Sequence, residues 1–191
     1  MHKAWFFGSF NPIHSGHLNI AEYIISEDIA DEVIFIVSPQ SPFKQDFSML
    51  DDDLRYELVC LAVEDKRGLS ASNMEFDLPK PSFTAKTLQL IRKKFPEDKH
   101  SVLLGSDQVA HFDQWQRYNE ILQYHEVLLY PRPGIENPGI EQFPGMKLLD
   151  APVYDIASTE IRNKIRNNEP VEDMLPLQVL KRIFNEGYYR K

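Results

Sequence analysis

Short apolar runs alternate with helix-like segments along most of the chain. In 51–63, for example, Leu54, Leu58 and Leu61 recur at helical spacing and are predicted to share one inward face. The runs are uninterrupted rather than alternating, which is typical of parallel strands covered on both faces. They cover residues 3–7, 32–39, 69–75, 101–105 and 126–130.

The last third of the chain has a different pattern. Residues 131–146 are rich in Pro and Gly and predict a long surface loop, followed by short apolar runs at 146–150 and 152–156 that predict two further strands. Helices are predicted over 158–167, capped by Ser158 or Thr159, and over 176–187, with Pro176 at the start and Gly187 at the end. The predicted fold is therefore α/β: a Rossmann-like, doubly wound parallel sheet with a C-terminal helical region. We expect one domain over 1–191, with its helical part at about 158–191.

Net charge and cysteine content limit the classes of ligand and the cellular location that are expected for this chain. The 191 residues carry 21 Lys and Arg against 29 Asp and Glu, a net charge of −8, which argues against a nucleic-acid surface but leaves room for a small anionic ligand. Cys60 is the single cysteine and is predicted to be a packing residue. The absence of a disulfide, of a secretory signal and of an apolar run long enough to cross a membrane predicts a cytoplasmic protein.

Polar and aromatic side chains follow the predicted strands. Because ligands of parallel sheets bind beyond the carboxyl ends of the strands, we expect these side chains to meet in one crevice. Cations suit phosphates, a carboxylate suits ribose hydroxyls and a flat ring suits a base, so the set indicates a nucleotide site. Its members are His14, His17, Lys44, Asp107, Trp115 and Arg132.

The stretch "GSFNPIHSGH" at 8–17 joins the first strand to the first helix. Gly8 lets the backbone approach a phosphate closely, and the helix predicted from about Gly16 directs free N–H groups at the same anion. His14 in the loop and His17 in the first turn can both donate hydrogen bonds to phosphate oxygens. A neutral imidazole donates one, and a nearby anion favours the doubly donating charged form.

Each of these residues also has a plainer interpretation. Lys44 and Arg132 could be solvated, Trp115 could be a core aromatic, and Asp107 could be only a helix cap. Arg162 and Arg166 lie four residues apart and could form a solvated helix face. Zinc would need more ligands than one H-x-x-H pair offers. The chain has no nucleophile elbow, P-loop or dinucleotide fingerprint.

Several segments resemble one family. "GSFNPIHSGH" is similar to the G-[GS]-[TS]-F-[DN]-P-x-H-x-G-H signature of the nucleotidyltransferase superfamily. The stretches "SPFK", "PSFTAKTL", "LLGSDQVAHFDQW", "YPRPG" and "IASTEIR" resemble, in order, segments of bacterial nicotinate mononucleotide adenylyltransferases. Ser9, Asn11, Lys86 and Ala157 depart from the commoner residues; at Ala157 one phosphate donor is lost.

The resemblance implies that ATP and nicotinate mononucleotide react, with Mg²⁺ held through the phosphates and no protein metal ligand, to give deamido-NAD and pyrophosphate. His14 and His17 would hold the α- and β-phosphates, and Lys44 and Arg162 the triphosphate. The alternatives are a phosphopantetheine adenylyltransferase or a non-catalytic nucleotide-binding module, and a homo-oligomer is also compatible with the resemblance. The other implied contacts are Gly8, Ser9 and Phe10 in the first loop; Ser158 and Thr159 with the triphosphate; Gly105 and Asp107 with ribose and adenosine; Arg132 near adenine; Trp115 stacked on the pyridine ring; Thr84 at its carboxylate; and Phe83 shaping that pocket.

Overall fold

A parallel sheet forms the centre of the protein. The computed structural model describes residues 1–39 and 49–190. Within them the strands are β1 (His2–Gly8), β2 (Glu32–Val37), β3 (Leu69–Ser72), β4 (Lys99–Gly105), β5 (Glu126–Tyr130) and β6 (Met146–Leu148). All neighbours are parallel, in the order β3-β2-β1-β4-β5-β6. The chain builds outward from β1 in one direction and then from β4 in the other, so the strand order reverses between them. The predicted α/β fold is confirmed.

Helices cover both faces of the sheet. They are α1 (Ser15–Ser26), α2 (Asp52–Val63), α3 (Thr84–Lys94), α4 (Tyr118–Tyr124), α5 (Ser158–Arg166) and α6 (Leu177–Glu186), with 3-10 helices at Ser106–Gln114 and Ile140–Gln142. Alternate residues of β1 separate two cores: Phe6 packs with α1, α2, α5 and α6, whereas Trp5 packs with α3, α4 and the first 3-10 helix. Because helices exclude water from both faces of the sheet, the side chains on both faces of each strand are apolar, which explains the uninterrupted apolar runs.

One strand prediction is wrong, and another strand is shorter than expected. Residues 152–156 form no strand. Val153 is exposed while Tyr154 and Ile156 pack against the core, so the alternation reflects contact with one core face and not pairing within the sheet. The strand expected over 69–75 ends at Ser72, and a turn follows it.

The buried face of α2 is rotated relative to the predicted one. Leu58 is fully buried, as expected, but Leu54 and Leu61 are only half-buried, and the side chain of Arg55 occupies an inner position. Apolar spacing placed the helix correctly. It did not reveal a charged residue inside, because burial of an arginine depends on acceptors from elsewhere in the chain.

The rotated face of α2 gives a stability prediction. Leu58→Ala is expected to lower the free energy of unfolding by about 3 kcal/mol, because it removes packed methyl groups and leaves a cavity. The matched control Leu54→Ala is expected to cost about 1 kcal/mol or less, since Leu54 is already partly in water. Urea unfolding followed by circular dichroism measures both. Equal losses would contradict the observed orientation of the helix.

Candidate active site

A cleft of about 820 Å³ opens at the carboxyl ends of β1 and β4, where the strand order reverses. Open α/β sheets bind their ligands at such a point, and the volume suits a small molecule. The predicted site residues that line the cleft are Gly8, Ser9, Phe10, His14, His17, Thr84, Gly105, Asp107, Trp115, Arg132, Ser158, Thr159 and Arg162. Residues at the ends of β1, β4 and β5 therefore meet residues of α3 and α5 in one cleft.

Two predicted site residues are not in this set. Phe83 does not line the cleft; it precedes α3, is half-buried, and its ring centroid lies 5.4 Å from Nζ of Lys86. Its neighbours Ser82 and Thr84 line the cleft instead. Lys44 lies outside the described residues.

His14 and His17 form a stacked pair at the start of α1. His14 is the N-cap and His17 lies in the first turn, so the helix brings the rings together with centroids 3.6 Å apart and planes at 26°. The backbone N–H of His14 donates to Nδ1 of His17 at 3.4 Å. Phe6 and Phe10 meet the His17 ring edge-on. Both imidazoles are thus fixed before any ligand arrives.

Burial lowers the pKa of His14 to about 3, and the positive charge of Arg132 adds to the effect. His14 is 3% exposed, so at neutral pH it is an uncharged ring with a single N–H donor. A phosphate group beside it would favour the charged form and oppose the shift. The site is therefore poised to respond to an anion.

Gly8 and Phe10 are linked by packing. A Cβ atom on Gly8 would lie 2.8 Å from Cζ of Phe10, so the Phe10 ring takes the space that a side chain would need. Phe10 has a φ of 44° and packs against Phe6 and Phe35. Glycine at position 8 therefore leaves room for the Phe10 ring, in addition to the close approach of a phosphate expected from the sequence.

Asp107 and Arg132 follow neighbouring strands and face each other. Nε of Arg132 lies 3.8 Å from Oδ1 of Asp107, and the Arg132 backbone N–H donates to Oγ of Ser106 at 3.0 Å. A Cβ on Gly105 would lie 2.3 Å from Oδ1 of Asp107. Glycine at this strand end therefore allows the carboxylate to turn back over the backbone.

Helix α5 contacts the loop after β1. Oγ of Ser158 donates to the carbonyl of Pro12 at 2.9 Å, and Nη1 of Arg162 donates to the carbonyl of Asn11 at 2.9 Å. The expectation that Ser158 or Thr159 caps the helix is wrong, since Ala157 is the N-cap, and the Ser158 hydroxyl bonds to the first loop instead. Arg162 is buried, which excludes a solvated face for it, whereas Arg166 bonds to Asn163 at the exposed surface.

Trp115 combines two of the roles considered. It is half-buried, its ring lies 5.3 Å from that of Phe112 in the core on the α3 side of the sheet, and it also lines the cleft.

Sequence reasoning missed three groups at or beneath the site, of which Glu75 and Arg55 are buried and Tyr130 is half-buried. Glu75 is buried in the wall and accepts hydrogen bonds from Ser82 at 2.8 Å and Thr87 at 2.6 Å. Tyr130 closes β5, and burial raises its pKa to about 12. Arg55 lies beneath the first loop. Only the position of Tyr130 at a strand end could have signalled it; the other two depend on partners brought together by folding.

Residues 1–39 and 49–190 contain no group of three or more His, Cys, Asp or Glu side chains that could hold a metal ion. No described helix is both long enough and apolar enough to cross a membrane.

Comparison with known proteins gives the family. A family model described as Cytidylyltransferase-like matches residues 5–164. A probable nicotinate-nucleotide adenylyltransferase of Flavobacterium johnsoniae is 36% identical over 188 residues, covering 97% of each chain. That of Flavobacterium psychrophilum is 38% identical over 189 residues, again covering 97% of each. The chain belongs to the nicotinate-nucleotide adenylyltransferase family.

A solved structure supports the fold of this family member. Plasmodium falciparum nicotinic acid mononucleotide adenylyltransferase complexed with NaAD has a TM-score of 0.83 and 16% identity, with 98% of this chain and 97% of the other covered. The resemblance inferred from the motifs is confirmed.

The buried His14 gives a pH prediction. Its folded pKa, about 3, lies below the ordinary 6.5, so the unfolded chain takes up the proton first as pH falls. Stability should therefore decrease between pH 6.5 and 3, by about 1.4 kcal/mol per pH unit for one proton. His125, whose pKa burial lowers to about 4, adds in the same direction.

Denaturant unfolding at intervals between pH 7 and 5 measures this slope. The variant His14→Gln should show a shallower decrease than the wild type, because one of the protons is no longer involved. Parallel curves would show that His14 titrates normally in the folded protein.

Proposed function

We propose that this protein transfers the adenylyl group of ATP to nicotinate mononucleotide, giving deamido-NAD and pyrophosphate in NAD biosynthesis. The observation that carries the proposal is the stacked His14–His17 pair, which shares one cleft with Arg132 and Arg162 at the reversal of strand order. The names of the relatives support the same reaction.

The reaction is an in-line displacement at phosphorus. An oxygen of the mononucleotide phosphate attacks the α-phosphorus of ATP, and the bond to the β-phosphate oxygen breaks with its electron pair leaving on pyrophosphate. The nucleophile is already an anion, so no strong base is needed, and the protein contributes positioning and charge stabilisation. We assign His14 and His17 to donate hydrogen bonds to the α- and β-phosphate oxygens while negative charge moves onto the departing pyrophosphate.

The rest of the cleft divides between the two substrates. On the ATP side we assign Gly105 and Asp107 to the ribose and adenosine, Arg132 to the adenine end and Arg162 to the triphosphate. The loop residues Gly8, Ser9 and Phe10, together with Ser158 and Thr159, complete this side, and Lys44 is assigned to the triphosphate from its sequence context.

On the acceptor side we assign Trp115 to stack on the pyridine ring and Thr84 to read its carboxylate. The bonds from Ser82 and Thr87 to Glu75 hold the segment that carries Thr84. Phe83 is assigned an indirect role in shaping this segment, since it does not line the cleft.

We propose Mg²⁺ as the metal partner of ATP. The ion would be held mainly by triphosphate oxygens and water, because Mg²⁺ seldom occupies a cage made of protein ligands alone. When bound, it neutralises part of the triphosphate charge.

We also propose that the chain is one nucleotidyltransferase domain with its helical part at about 158–191. Ile161 of α5 and Ile183 of α6 belong to the same core cluster as Leu18 of α1, which supports this. A cytoplasmic location is proposed from the single cysteine.

A pyrophosphate-release assay tests the function. The protein is mixed with ATP, Mg²⁺ and, in turn, nicotinate mononucleotide, nicotinamide mononucleotide and phosphopantetheine. We expect the fastest release with nicotinate mononucleotide. Release only with phosphopantetheine would move the protein to the related family, and no release with any acceptor would indicate a non-catalytic binding module.

The histidine pair gives a kinetic prediction. His17→Ala should lower kcat by about two orders of magnitude, because it removes one preorganised donor to the developing charge. The melting temperature should change little, since His17 is half-buried.

The matched control for this prediction is His2→Ala. His2 lies at the opposite end of β1 and bonds to Ser101 at 2.7 Å, so kcat should stay within about twofold of the wild type. A large fall in melting temperature for His17→Ala would indicate a structural role instead.

The two tryptophans allow an optical test of the acceptor site. Trp5 is buried in the core, and Trp115 lines the cleft. In Trp5→Phe the remaining fluorescence comes from Trp115, and nicotinate mononucleotide should quench it through stacking. In the reciprocal variant Trp115→Phe the signal from Trp5 should not respond. Quenching that follows Trp5 would place the pyridine ring elsewhere.

A further inference from the structure

Arg55 is a charged side chain in the interior of the protein. It extends from α2 and is 0% exposed. A guanidinium group has five N–H donors, and each has an acceptor here. Nε donates to the carbonyl of Leu50 at 3.0 Å; Nη1 donates to the carbonyls of Ser9 and, at 3.0 Å, Ser38; Nη2 donates to the carbonyl of Pro39 at 3.3 Å and to Oδ1 of Asp52 at 2.6 Å.

Burying a guanidinium group in a protein core has a large desolvation cost. Burial lowers the pKa of Arg55. Among the described residues, its one close countercharge is Asp52, whose carboxylate also pairs with Lys80. Burying a charge pair is often no more stabilising than packing apolar side chains in the same volume. A leucine at this helix position would fill space, but it would leave four backbone carbonyls without this donor. The acceptors, rather than the packing, distinguish arginine here.

The four carbonyls belong to three separate stretches of backbone. Ser9 begins the loop that leads from β1 to His14; Ser38 and Pro39 follow β2; Leu50 precedes α2. Ser9 and Ser38 line the cleft. Arg55 therefore joins the ends of two neighbouring strands to each other from below the cleft floor.

Asn11 extends the same connection. Its Oδ1 accepts the backbone N–H of Leu50 at 3.2 Å and the hydroxyl of Tyr189 at 2.8 Å. The backbone of Leu50 is thus held to the first loop through its N–H by Asn11 and to α2 through its carbonyl by Arg55. The loop that carries the histidine pair has no independent freedom to shift relative to β2 while these bonds persist.

We propose that Arg55 is a positioning residue for adenylyl transfer. In this proposal Arg55 does not contact the substrate. It fixes the position of the 9–12 loop relative to β2 and α2, and this loop in turn sets the positions of His14 and His17 relative to the triphosphate. The proposal rests on the function proposed above. It differs from a role in stability alone, because it predicts that the fully folded variant has a changed KM and a weaker affinity for ATP.

The test compares Arg55→Lys and Arg55→Met with the control Arg182→Met. Lysine keeps the charge but has three donors on one atom and cannot reach five acceptors. Arg182 lies on α6, pairs with Glu57 and Glu186 at the surface, and stands outside the cleft, so its variant removes the same chemical group without touching the loop.

Kinetics on folded protein separate positioning from stability. We expect Arg55→Lys to raise KM for ATP about tenfold and to lower kcat about tenfold, because misplaced donors weaken both binding and the transition state. KM for nicotinate mononucleotide should stay within about threefold, and Arg182→Met should match the wild type in all three values. If Arg55 acts only on stability, Arg55→Lys loses folded fraction and apparent kcat, but its KM for ATP equals that of the wild type, which would overturn the proposal.

Equilibrium binding of a non-hydrolysable ATP analogue makes the result independent of the acceptor. Calorimetry should show weaker binding by Arg55→Lys and Arg55→Met than by the wild type and Arg182→Met. If the wild type binds the analogue but transfers nothing to nicotinate mononucleotide, the proposed function is refuted. The affinities of the Arg55 variants for the analogue would then still test whether Arg55 positions the ATP site. Unchanged affinity in Arg55→Lys would refute the positioning role. Near-ultraviolet circular dichroism confirms folding, and if Arg55→Met does not fold, Arg55→Lys decides.

Discussion

The loop between β1 and α1 is held by hydrogen bonds from helices that are remote in the sequence, and the geometry of the cleft depends on this anchoring. Backbone carbonyls removed from water need partners, and those of Ser9, Asn11 and Pro12 receive them from Arg55, Arg162 and Ser158. His14 follows this loop directly and caps α1. The position of the imidazole pair is therefore set jointly by α2 and α5.

The cleft places positive side chains beside the histidine pair, although the whole molecule carries a net negative charge. The chain carries a net charge of −8, yet Arg132 and Arg162 both line the cleft beside the histidine pair. Burial next to Arg132 keeps His14 uncharged without a ligand. An incoming phosphate brings a negative charge close to the ring, so binding and protonation of the ring favour each other. Asp107 and Glu75 also line the cleft, so the two arginines act through their placement beside the histidine pair, where short distances strengthen their field.

The C-terminal helices complete the site rather than extend it. Helix α5 reaches the first loop through two side chains, and α6 packs with α2 in the core beneath that loop. The hydroxyl of Tyr189, beyond α6, bonds to Asn11 near the start of the chain. The first loop and the segment after α6 therefore belong to one hydrogen-bond network.

Much of the fold and of the site could be predicted from local information. Uninterrupted apolar runs located five strands, and the alternation of strand and helix indicated a parallel sheet. The motifs from 8–17 to 156–162 identified the family and just under half of the residues lining the cleft. Strand-end positions were sufficient for His14, His17, Asp107 and Arg132, because parallel strands bring their carboxyl ends to one edge.

Only the tertiary structure decided which donor meets which acceptor. Arg55 and Ser9 are 46 residues apart, and Arg162 and Asn11 are 151 apart. Ser158 looked like a helix cap and bonds to a distant carbonyl, Phe83 looked like a pocket wall and lies outside the cleft, and residues 152–156 looked like a strand and only pack against the core. Periodicity records whether a position is apolar, and therefore which face turns inward. It carries no information about the partner of a buried polar group, since that partner is brought into contact only when separate elements fold together.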